Sequence, residues 1–187
     1  MKDEILVSII CTTFNHEKYI EDAIKSFLMQ VTDFKYEIII HDDASTDSTP
    51  SIIRRYAEKY PEIIHSIMQE ENQYSKGINI LENYELPVAK GKYIAFCEGD
   101  DYWTDPEKLQ KQVNVLEKHL ECDICTHSAD VVSAEDKSVL RKINPSETNT
   151  IFDVEEVILG DGGFVATNSL MIRRKLFDSI PQFRKVY

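Results

Sequence analysis

The chain has 187 residues, of which 42% are hydrophobic, and a formal net charge of −12 at pH 7. This length fits one domain with a substantial buried core. The acidic excess argues against nucleic acid as a partner, because affinity for nucleic acid comes mainly from Lys and Arg that neutralise phosphates. It also argues against an anionic lipid surface as a partner for most of the protein.

The amino terminus and the cysteines indicate a cytoplasmic protein. The first four residues, MKDE, include acids where a signal peptide is basic, and no apolar run approaches the length of a membrane span. The four cysteines lie mostly in apolar, strand-like contexts, which suit reduced thiols. They are Cys11, Cys97, Cys122 and Cys125.

Strand and helix patterns alternate through the first two thirds of the chain. Apolar runs predict strands at residues 5–11, 36–40, 63–68 and 93–97. Apolar residues at three- and four-residue intervals predict a helix beginning near Asn15 and a second one that Thr49 and Pro50 open and Pro61 ends. A weaker helical stretch runs from about Lys76 to Ala89.

Thr104 and Glu107 form a capping-box pattern before a further helix. Its apolar face is predicted to carry Leu109, Val113, Leu116 and Leu120. This alternation predicts an α/β fold, with right-handed crossovers and a mostly parallel sheet covered by helices on both sides. Beyond Asp130 the alternation fades into a loop or hairpin at residues 133–150, a short helix at 153–159 and a further strand at 169–172.

Residues 98–103 (EGDDYW) place three carboxylates directly after the predicted strand 93–97. Such a cluster is costly to desolvate unless a positive charge lies among its members, and oxygen ligands suit a divalent cation. The same cation would let an acidic protein bind a nucleotide diphosphate without a glycine-rich phosphate loop. A solvated acidic turn is the alternative interpretation.

Two other predicted strands also end in polar residues. Residues 41–48 (HDDASTDS) follow the strand 36–40, and residues 12–15 (TTFN) follow the strand 5–11. Because the carboxyl ends of parallel strands meet at one edge of a sheet, the three segments predict one binding site there.

Several other functions lack their motifs. The chain has no GxGxxG, GxxxxGK[ST] or GxSxG motif and no GxGTR-like segment, which argues against dinucleotide-binding, P-loop, hydrolase and nucleotidyltransferase functions. A phosphoacceptor domain would need acids at the end of the first strand, where this chain has residues 12–15 (TTFN) and no acid. A zinc site built from His119, Cys122, Cys125 and His127 remains an alternative, although strand alternation and the preceding helix do not impose its geometry.

Three blocks together resemble the family 2 glycosyltransferases of GT-A fold. They are residues 7–15 (VSIICTTFN), 42–47 (DDASTD) and 91–101 (GKYIAFCEGDD), in the family's order and spacing over about the first 130 residues. The resemblance implies inverting transfer of a sugar from a nucleotide-sugar donor, usually a UDP-sugar, with Mn²⁺ or Mg²⁺. It implies a glycan, lipid-linked or other hydroxyl acceptor. A catalytically silent sugar-nucleotide-binding or assembly module of the same fold is the alternative.

The resemblance also implies roles for individual residues. Thr12, Thr13, Phe14 and Asn15 correspond to the turn that contacts the nucleotide, with Phe14 stacking on the base or, alternatively, lying in the core. Asp43 matches the acid that hydrogen-bonds uracil. Asp100 would ligate the metal together with Asp101, and Glu98 or Asp101 would assist through the ribose or a water. Glu98 replaces the family's first Asp, and Cys11 stands where the family often has proline.

Residues outside these blocks carry further expectations. Tyr102 and Trp103 either line the sugar pocket or pack under the next helix. His16, His41 and His65 are expected to be ordinary surface or turn histidines, and residues 173–175 (RRK) a solvated basic turn.

The general base that inverting transfer requires is harder to place. Asp161, in the glycine-rich turn 160–163, is the acid after the donor blocks with a suitable context. We therefore expect a single GT-A domain, residues 1–187, with a donor-binding half at 1–130 and a truncated acceptor-side half at 131–187. The base would then be Asp161 or an acid beyond residue 187, and residues beyond 187 would associate peripherally with the inner face of the membrane.

Overall fold

A computed structural model describes residues 4–160 and 163–179 of the chain. Its strands are β1 (Ile5–Thr13), β2 (Lys35–Asp42), β3 (Ile64–Met68), β4 (Tyr93–Phe96), β5 (Ile124–Cys125), β6 (Ala129–Val132), β7 (Val139–Ile143) and β8 (Met171–Arg173). Its α-helices are α1 (Ile20–Leu28), α2 (Thr49–Lys59), α3 (Lys108–Lys118), α4 (Val154–Leu159) and α5 (Lys175–Ser179).

Six strands form one mixed sheet in the order β3-β2-β1-β4-β8-β5. The four strands from β3 to β4 are parallel, whereas β8 runs antiparallel to both β4 and β5. The prediction of an α/β fold with a mostly parallel sheet is confirmed. A separate hairpin joins β6 to β7 and confirms the hairpin alternative for the segment after Asp130.

The core lies on both faces of the central strands, as the apolar runs in β1 and β2 require. Val7 and Ile9 pack on the face covered by α1, α2 and α3, while Ile10 packs on the opposite face with Ile39 and Ile94. Because side chains alternate along a strand, one apolar run fills both layers of the core. Each fully buried isoleucine contributes about 1.5–3 kcal/mol relative to an exposed one.

Two helix starts differ from the sequence prediction. Helix α1 begins at Ile20 rather than near Asn15, because Asn15 has a left-handed backbone with φ of 57°. Helix α3 begins at Lys108 without a side-chain cap from Thr104. Asp105 instead accepts a hydrogen bond of 2.9 Å from the Glu107 amide just before the helix. Leu120 lies beyond the end of α3 and is 70% exposed, so it does not belong to the apolar face.

The predicted helix from Lys76 to Ala89 is replaced by two short turns. One is a 3₁₀ turn at Tyr74–Lys76, and the other is a π-helical turn at Leu81–Glu85. Gly77 separates them with φ of 73°, a left-handed conformation that an α-helix cannot contain. The short helix α4 is confirmed, and Asp153 and Glu156 form a capping box at its start.

Arg173 is buried rather than part of a solvated basic turn. Its guanidinium donates hydrogen bonds to the Cys122 carbonyl at 2.9 Å, the Tyr93 hydroxyl at 3.1 Å and the Leu116 carbonyl at 2.5 Å. A buried charge is tolerated when its donors are paired in this way. Arg173 therefore ties β8 to β4 and to the end of α3.

The residues proposed as a zinc alternative do not assemble. Within residues 4–160 and 163–179, no group of three or more His, Cys, Asp or Glu side chains is arranged to hold a metal ion on its own. No helix in this part of the chain is long and apolar enough to cross a membrane.

Candidate functional site

The carboxyl ends of β1, β2 and β4 meet at one cavity of about 330 Å³. Backbone hydrogen bonds fix the three segments to one another: the Asp43 amide donates to the Thr13 carbonyl and the Gly99 amide donates to the Thr12 carbonyl, both at 3.0 Å. The residues that line the cavity are Thr12, Thr13, Phe14, His16, Asp43, Asn72, Tyr74, Ile80, Glu98 and Asp100. The structure thus brings together six of the residues that the sequence singled out.

Gly99 allows the acidic segment to pack closely on the end of β1. A Cβ atom at this position would lie 2.5 Å from the Thr13 Oγ1, 2.7 Å from the Thr13 Cβ and 2.9 Å from the His16 Nδ1. Glu98 and Asp100 are therefore held on either side of a residue that has no room for a side chain.

The carboxylates of this segment repel one another. Burial raises the pKa of Asp101 to about 6, and the charges of Asp100 and Glu98 add to the rise. Burial also raises the pKa of Glu98, again with a contribution from Asp100. Among the described residues, those lining the cavity include neither lysine nor arginine, and His16, when protonated, is their one cationic side chain. A ligand would therefore have to bring most of the positive charge.

The residues present fit a divalent cation that is shared with a ligand. Asp100 lines the cavity with its side chain 50% exposed. Mg²⁺ commonly binds through one or two carboxylates plus substrate phosphates rather than in an all-protein cage. A site built from Asp100, a neighbouring acid and a diphosphate meets this description, although the side chains of residues 4–160 and 163–179 alone form no closed metal cage.

Asp43 is held firmly at the end of β2. It is 1% exposed, and its carboxylate accepts hydrogen bonds from the amides of Gln73 at 2.7 Å and Tyr74 at 3.0 Å. The Asn72 side chain donates to its carbonyl at 3.1 Å. Asp43 therefore positions the 72–74 segment beside the cavity, and each carboxylate oxygen retains a second lone pair for a ligand.

Asn15 does not line this cavity. Its side-chain oxygen accepts a hydrogen bond of 2.8 Å from the Thr46 amide, and its own amide donates to the Ser45 Oγ at 2.8 Å. Asn15 thus joins the turn after β1 to the turn after β2. Asp47 has a similar role, since its carboxylate accepts from the amides of Glu17 at 3.0 Å and Thr49 at 2.9 Å.

Two exposed aromatic side chains line the cavity. Phe14 is 44% exposed, which contradicts the alternative that it is a core aromatic, and Tyr74 is 78% exposed. Trp103, in contrast, is 4% exposed, packs edge-on against Phe27 at 5.0 Å between ring centroids and donates to the Asn168 carbonyl at 2.8 Å. The Lys108 ammonium, at the start of α3, lies 3.6 Å from the centre of the Trp103 ring, so Trp103 packs between α1 and the next helix.

Sequence reasoning missed four residues of the cavity, which are His16, Asn72, Tyr74 and Ile80. The His16 Nε2 lies 3.9 Å from the Asp100 Oδ2. His16 was expected to be an ordinary surface or turn histidine, but its ring lies next to a candidate metal ligand. His41 is fully buried in β2, and His65 lies 3.5 Å from Glu37. Of these four residues, only Tyr74 could have been predicted from the sequence, because it is an aromatic residue in the otherwise polar stretch 70–77.

Comparison with known proteins identifies the family. Residues 8–180 match the family described as Glycosyl transferase family 2. The chain belongs to this family. The match covers most of the chain and extends well past the three blocks of the donor site.

Two relatives of this glycosyltransferase chain come from bacteria. It is 40% identical over 178 residues to the uncharacterized protein Rv1520 of Mycobacterium tuberculosis (strain ATCC 25618 / H37Rv), covering 94% of this chain and 49% of that protein. It is 39% identical over 112 residues to the Escherichia coli UDP-Glc:alpha-D-GlcNAc-diphosphoundecaprenol beta-1,3-glucosyltransferase WfaP, covering 60% of this chain and 41% of WfaP. The chain thus spans about half the length of these relatives or less.

Solved structures show the same fold. Staphylococcus aureus TarS 1-349 in complex with UDP-GlcNAc aligns with a TM-score of 0.68 at 24% identity, over 98% of this chain and 48% of that one. The mannosyltransferase PcManGT from Pyrobaculum calidifontis, in complex with GDP-Man and Mn²⁺, aligns with a TM-score of 0.62 at 21% identity, over 94% and 46%. The family 2 chain therefore has the expected GT-A fold.

The structure does not test the candidate general base of this family 2 chain. Asp161 lies outside the described residues, so its expected role stays a prediction. Asp101 and Tyr102 belong to the acidic segment 98–103 but do not line the cavity at the strand ends. The Lys137 ammonium lies over the Tyr102 ring at 4.8 Å, which accounts for the position of that ring.

Proposed function

We propose that this chain is the donor-binding part of an inverting glycosyltransferase that moves a sugar from a UDP-sugar to a hydroxyl acceptor with the help of Mn²⁺ or Mg²⁺. One observation carries the proposal. A single cavity at three strand ends offers an exposed aromatic ring, a fixed carboxylate and an acidic segment, and each of these suits a different part of a nucleotide diphosphate.

The nucleoside would bind at the β1 and β2 ends. Phe14 stacks on the base, and Asp43 accepts a hydrogen bond from the imide N–H of uracil, for which a carboxylate is well suited. Thr12 and Thr13 line the same cavity beside them. The hydrogen bonds from the 72–74 amides hold the Asp43 carboxylate in place before the ligand arrives.

The diphosphate would bind at the acidic segment. Asp100 would hold the cation, and Asp101, which does not line the cavity, would help through a water. Glu98 would assist through the ribose or a water. When bound, the cation acts as a Lewis acid that stabilises the charge on the departing diphosphate. The protein contributes ligand oxygens kept in place by Gly99, whose packing on Thr13 leaves the segment little freedom.

The acceptor hydroxyl would lose its proton to a general base and attack the sugar from the side opposite the diphosphate, which inverts the configuration. We assign the base to Asp161 or to an acid beyond residue 187. In this proposal residues 1–130 bind the donor, and residues 131–187 form part of the acceptor side.

The name of one relative supports the proposed acceptor class. The name of WfaP specifies a sugar on diphosphoundecaprenol, which supports a glycan or lipid-linked acceptor for this chain. A lipid-linked acceptor would place the protein at the cytoplasmic face of a membrane, with residues beyond 187 making the peripheral contact.

Release of UDP from a panel of UDP-sugars, with and without a hydroxyl acceptor, tests the proposed activity. We expect UDP binding and slow release of UDP by this chain, and faster, acceptor-dependent release by a longer chain of the same protein. Asp161→Asn compared with the unchanged sequence tests the base in both lengths. Tight UDP-sugar binding without any UDP release by the longer chain would favour a catalytically silent binding module.

A further inference from the structure

A second cavity of about 180 Å³ adjoins the cavity at the strand ends. Thr12 and Glu98 line both of them, so the two spaces meet at these residues. In the proposed function the diphosphate lies at the acidic segment that contains Glu98, and the sugar of the donor is attached to the diphosphate. The second cavity therefore begins where the sugar must lie.

The walls of the second cavity combine apolar surface with a few polar groups. Ile10, Leu81 and Phe96 provide the apolar part, and Thr12, Glu85, Glu98 and Thr167 provide the polar part. A small number of polar groups on an otherwise apolar wall is typical of a small-molecule site. The described residues that line it include no lysine or arginine, so no cationic side chain among them compensates a negative charge on a ligand.

Glu85 is the unusual member of this wall. It lies at the end of the π-helical turn Leu81–Glu85, a rare conformation that occurs often at functional sites, and it is 1% exposed. The Thr12 hydroxyl donates to its Oε1 at 2.7 Å. The hydrogen bond links this buried carboxyl to a residue that lines both cavities.

We propose that the second cavity binds the uncharged sugar of the donor, and that Glu85 and Thr167 hydrogen-bond its hydroxyl groups and exclude sugars that carry a carboxylate. The proposal rests on the proposed function and deepens it by naming the sugar class. A hydroxyl group can both donate to and accept from a carboxyl group, whereas a sugar carboxylate would meet Glu85 and Glu98 without a cation on the cavity wall. Burial, opposed by the Thr12 hydrogen bond, raises the pKa of Glu85 to about 7, so the carboxyl carries a proton for donation in a substantial fraction of molecules at neutral pH.

Calorimetry with UDP, UDP-glucose, UDP-N-acetylglucosamine and UDP-glucuronate in the presence of Mn²⁺ tests the inference. We expect at least one of the two neutral UDP-sugars to bind the unchanged protein more tightly than UDP, and UDP-glucuronate to bind no more tightly than UDP. In Glu85→Ala and in Thr167→Val, the affinity advantage of that neutral sugar over UDP falls about three- to tenfold, the effect of one net hydrogen bond. Thr167→Val removes the hydroxyl group but nearly keeps the side-chain volume. The inference can therefore still be tested with Thr167→Val if Glu85→Ala fails to fold.

Glu82→Gln is the matched control, since Glu82 is an exposed carboxylate in the same turn and does not line the cavity. It should leave the sugar advantage unchanged, and Thr167→Val should leave the affinity for UDP itself unchanged. Normal UDP binding with an unaltered sugar advantage in both cavity variants would overturn the inference and leave the proposed function intact, as would UDP-glucuronate that binds as tightly as UDP-glucose. If the unchanged protein binds no UDP at all, the proposed function and the inference fail together.

Discussion

At the scale of single residues, the structure separates the side chains that line the cavity from those that only hold the loops. Phe14, Asp43 and Asp100 line the cavity at the strand ends, whereas Asn15 and Asp47 fasten neighbouring turns. The sequence predicts that all of these lie near one edge of the sheet, because they follow parallel strands. It does not predict which of them line the cavity, since this depends on how the turns pack against one another.

Asp43→Asn tests whether the Asp43 carboxylate accepts a hydrogen bond from the base. An amide at this position keeps one oxygen as an acceptor but replaces the other with a donor, which conflicts with the imide N–H of uracil. We expect UDP affinity to fall by about 1.5–3 kcal/mol, the range for a hydrogen bond to a charged group. CDP, which lacks the imide N–H, should lose much less. The measurement is calorimetry with both nucleotides.

Asp33→Asn is the matched control for this experiment, because Asp33 is exposed and lies outside the cavity. It should leave both affinities unchanged. Equal losses for UDP and CDP in Asp43→Asn would mean that Asp43 orders the 72–74 segment without contacting the base.

Glu85 makes a prediction about stability and pH. Burial is the main cause that raises its pKa from 4.5 to about 7, and repulsion from Glu98 adds to it. Between these values the unfolded chain ionises Glu85 while the folded protein keeps it protonated. The free energy of unfolding therefore falls as the pH rises from about 4.5 to 7, by up to about 3 kcal/mol at 1.36 kcal/mol per pKa unit, and this contribution then stays constant.

Glu85→Gln removes that contribution, so its free energy of unfolding should fall less over the same pH range. Urea denaturation at pH 4.5, 5.5, 6.5 and 7.5 measures the difference, and Glu82→Gln serves as the control. The pKa of Asp101 is also raised, but Asp101 is present in every variant. Its contribution to the pH dependence therefore cancels when the variants are compared. Parallel curves for the unchanged protein and Glu85→Gln would show that Glu85 titrates normally.

At the scale of secondary-structure elements, segments with a clear periodic pattern agree with the structure, whereas the weakly periodic stretch 76–89 does not. Helix α2 carries its proline in the first turn and ends before Pro61, as the sequence indicates. The π-helical turn ending at Glu85 was predicted as part of an α-helix. Its conformation depends on burial of Glu85 against Thr12, a contact across 73 residues that no local pattern contains.

Gly99→Ala tests how the acidic segment is held against β1. The new methyl group would lie within 2.5–2.9 Å of the Thr13 and His16 side chains, so the segment has to move. We expect the free energy of unfolding to fall by about 1–3 kcal/mol, as for other overpacked sites, and metal-dependent UDP binding to weaken. Thermal unfolding and calorimetry give the two readouts.

Gly163→Ala is the control, since a Cβ atom there meets nothing within 4 Å. It should change neither property by a comparable amount. Unchanged stability and UDP affinity in Gly99→Ala would show that the segment adjusts without cost and that its glycine is not required.

At the scale of the whole molecule, alternating strands and helices predicted the parallel sheet and the place of the site. They did not predict that β8 enters the sheet antiparallel between β4 and β5. This strand has three residues, and Arg173, which ties it to β4 and α3, resembled a solvated basic residue in the sequence. Long-range hydrogen bonds, rather than local pattern, determine this part of the fold.

The central claim is that a cation joins an acidic protein to a nucleotide diphosphate at Asp100. Calorimetry of UDP binding to the unchanged protein and to Asp100→Asn, each in Mn²⁺ and in EDTA, tests it most directly. Since the described residues that line the cavity include carboxylates and neither lysine nor arginine, the cation must offset the repulsion between these carboxylates and the diphosphate. We predict that UDP binds the unchanged protein in Mn²⁺, and that either EDTA or Asp100→Asn weakens binding at least tenfold. UDP affinity that is undiminished in EDTA would contradict the account.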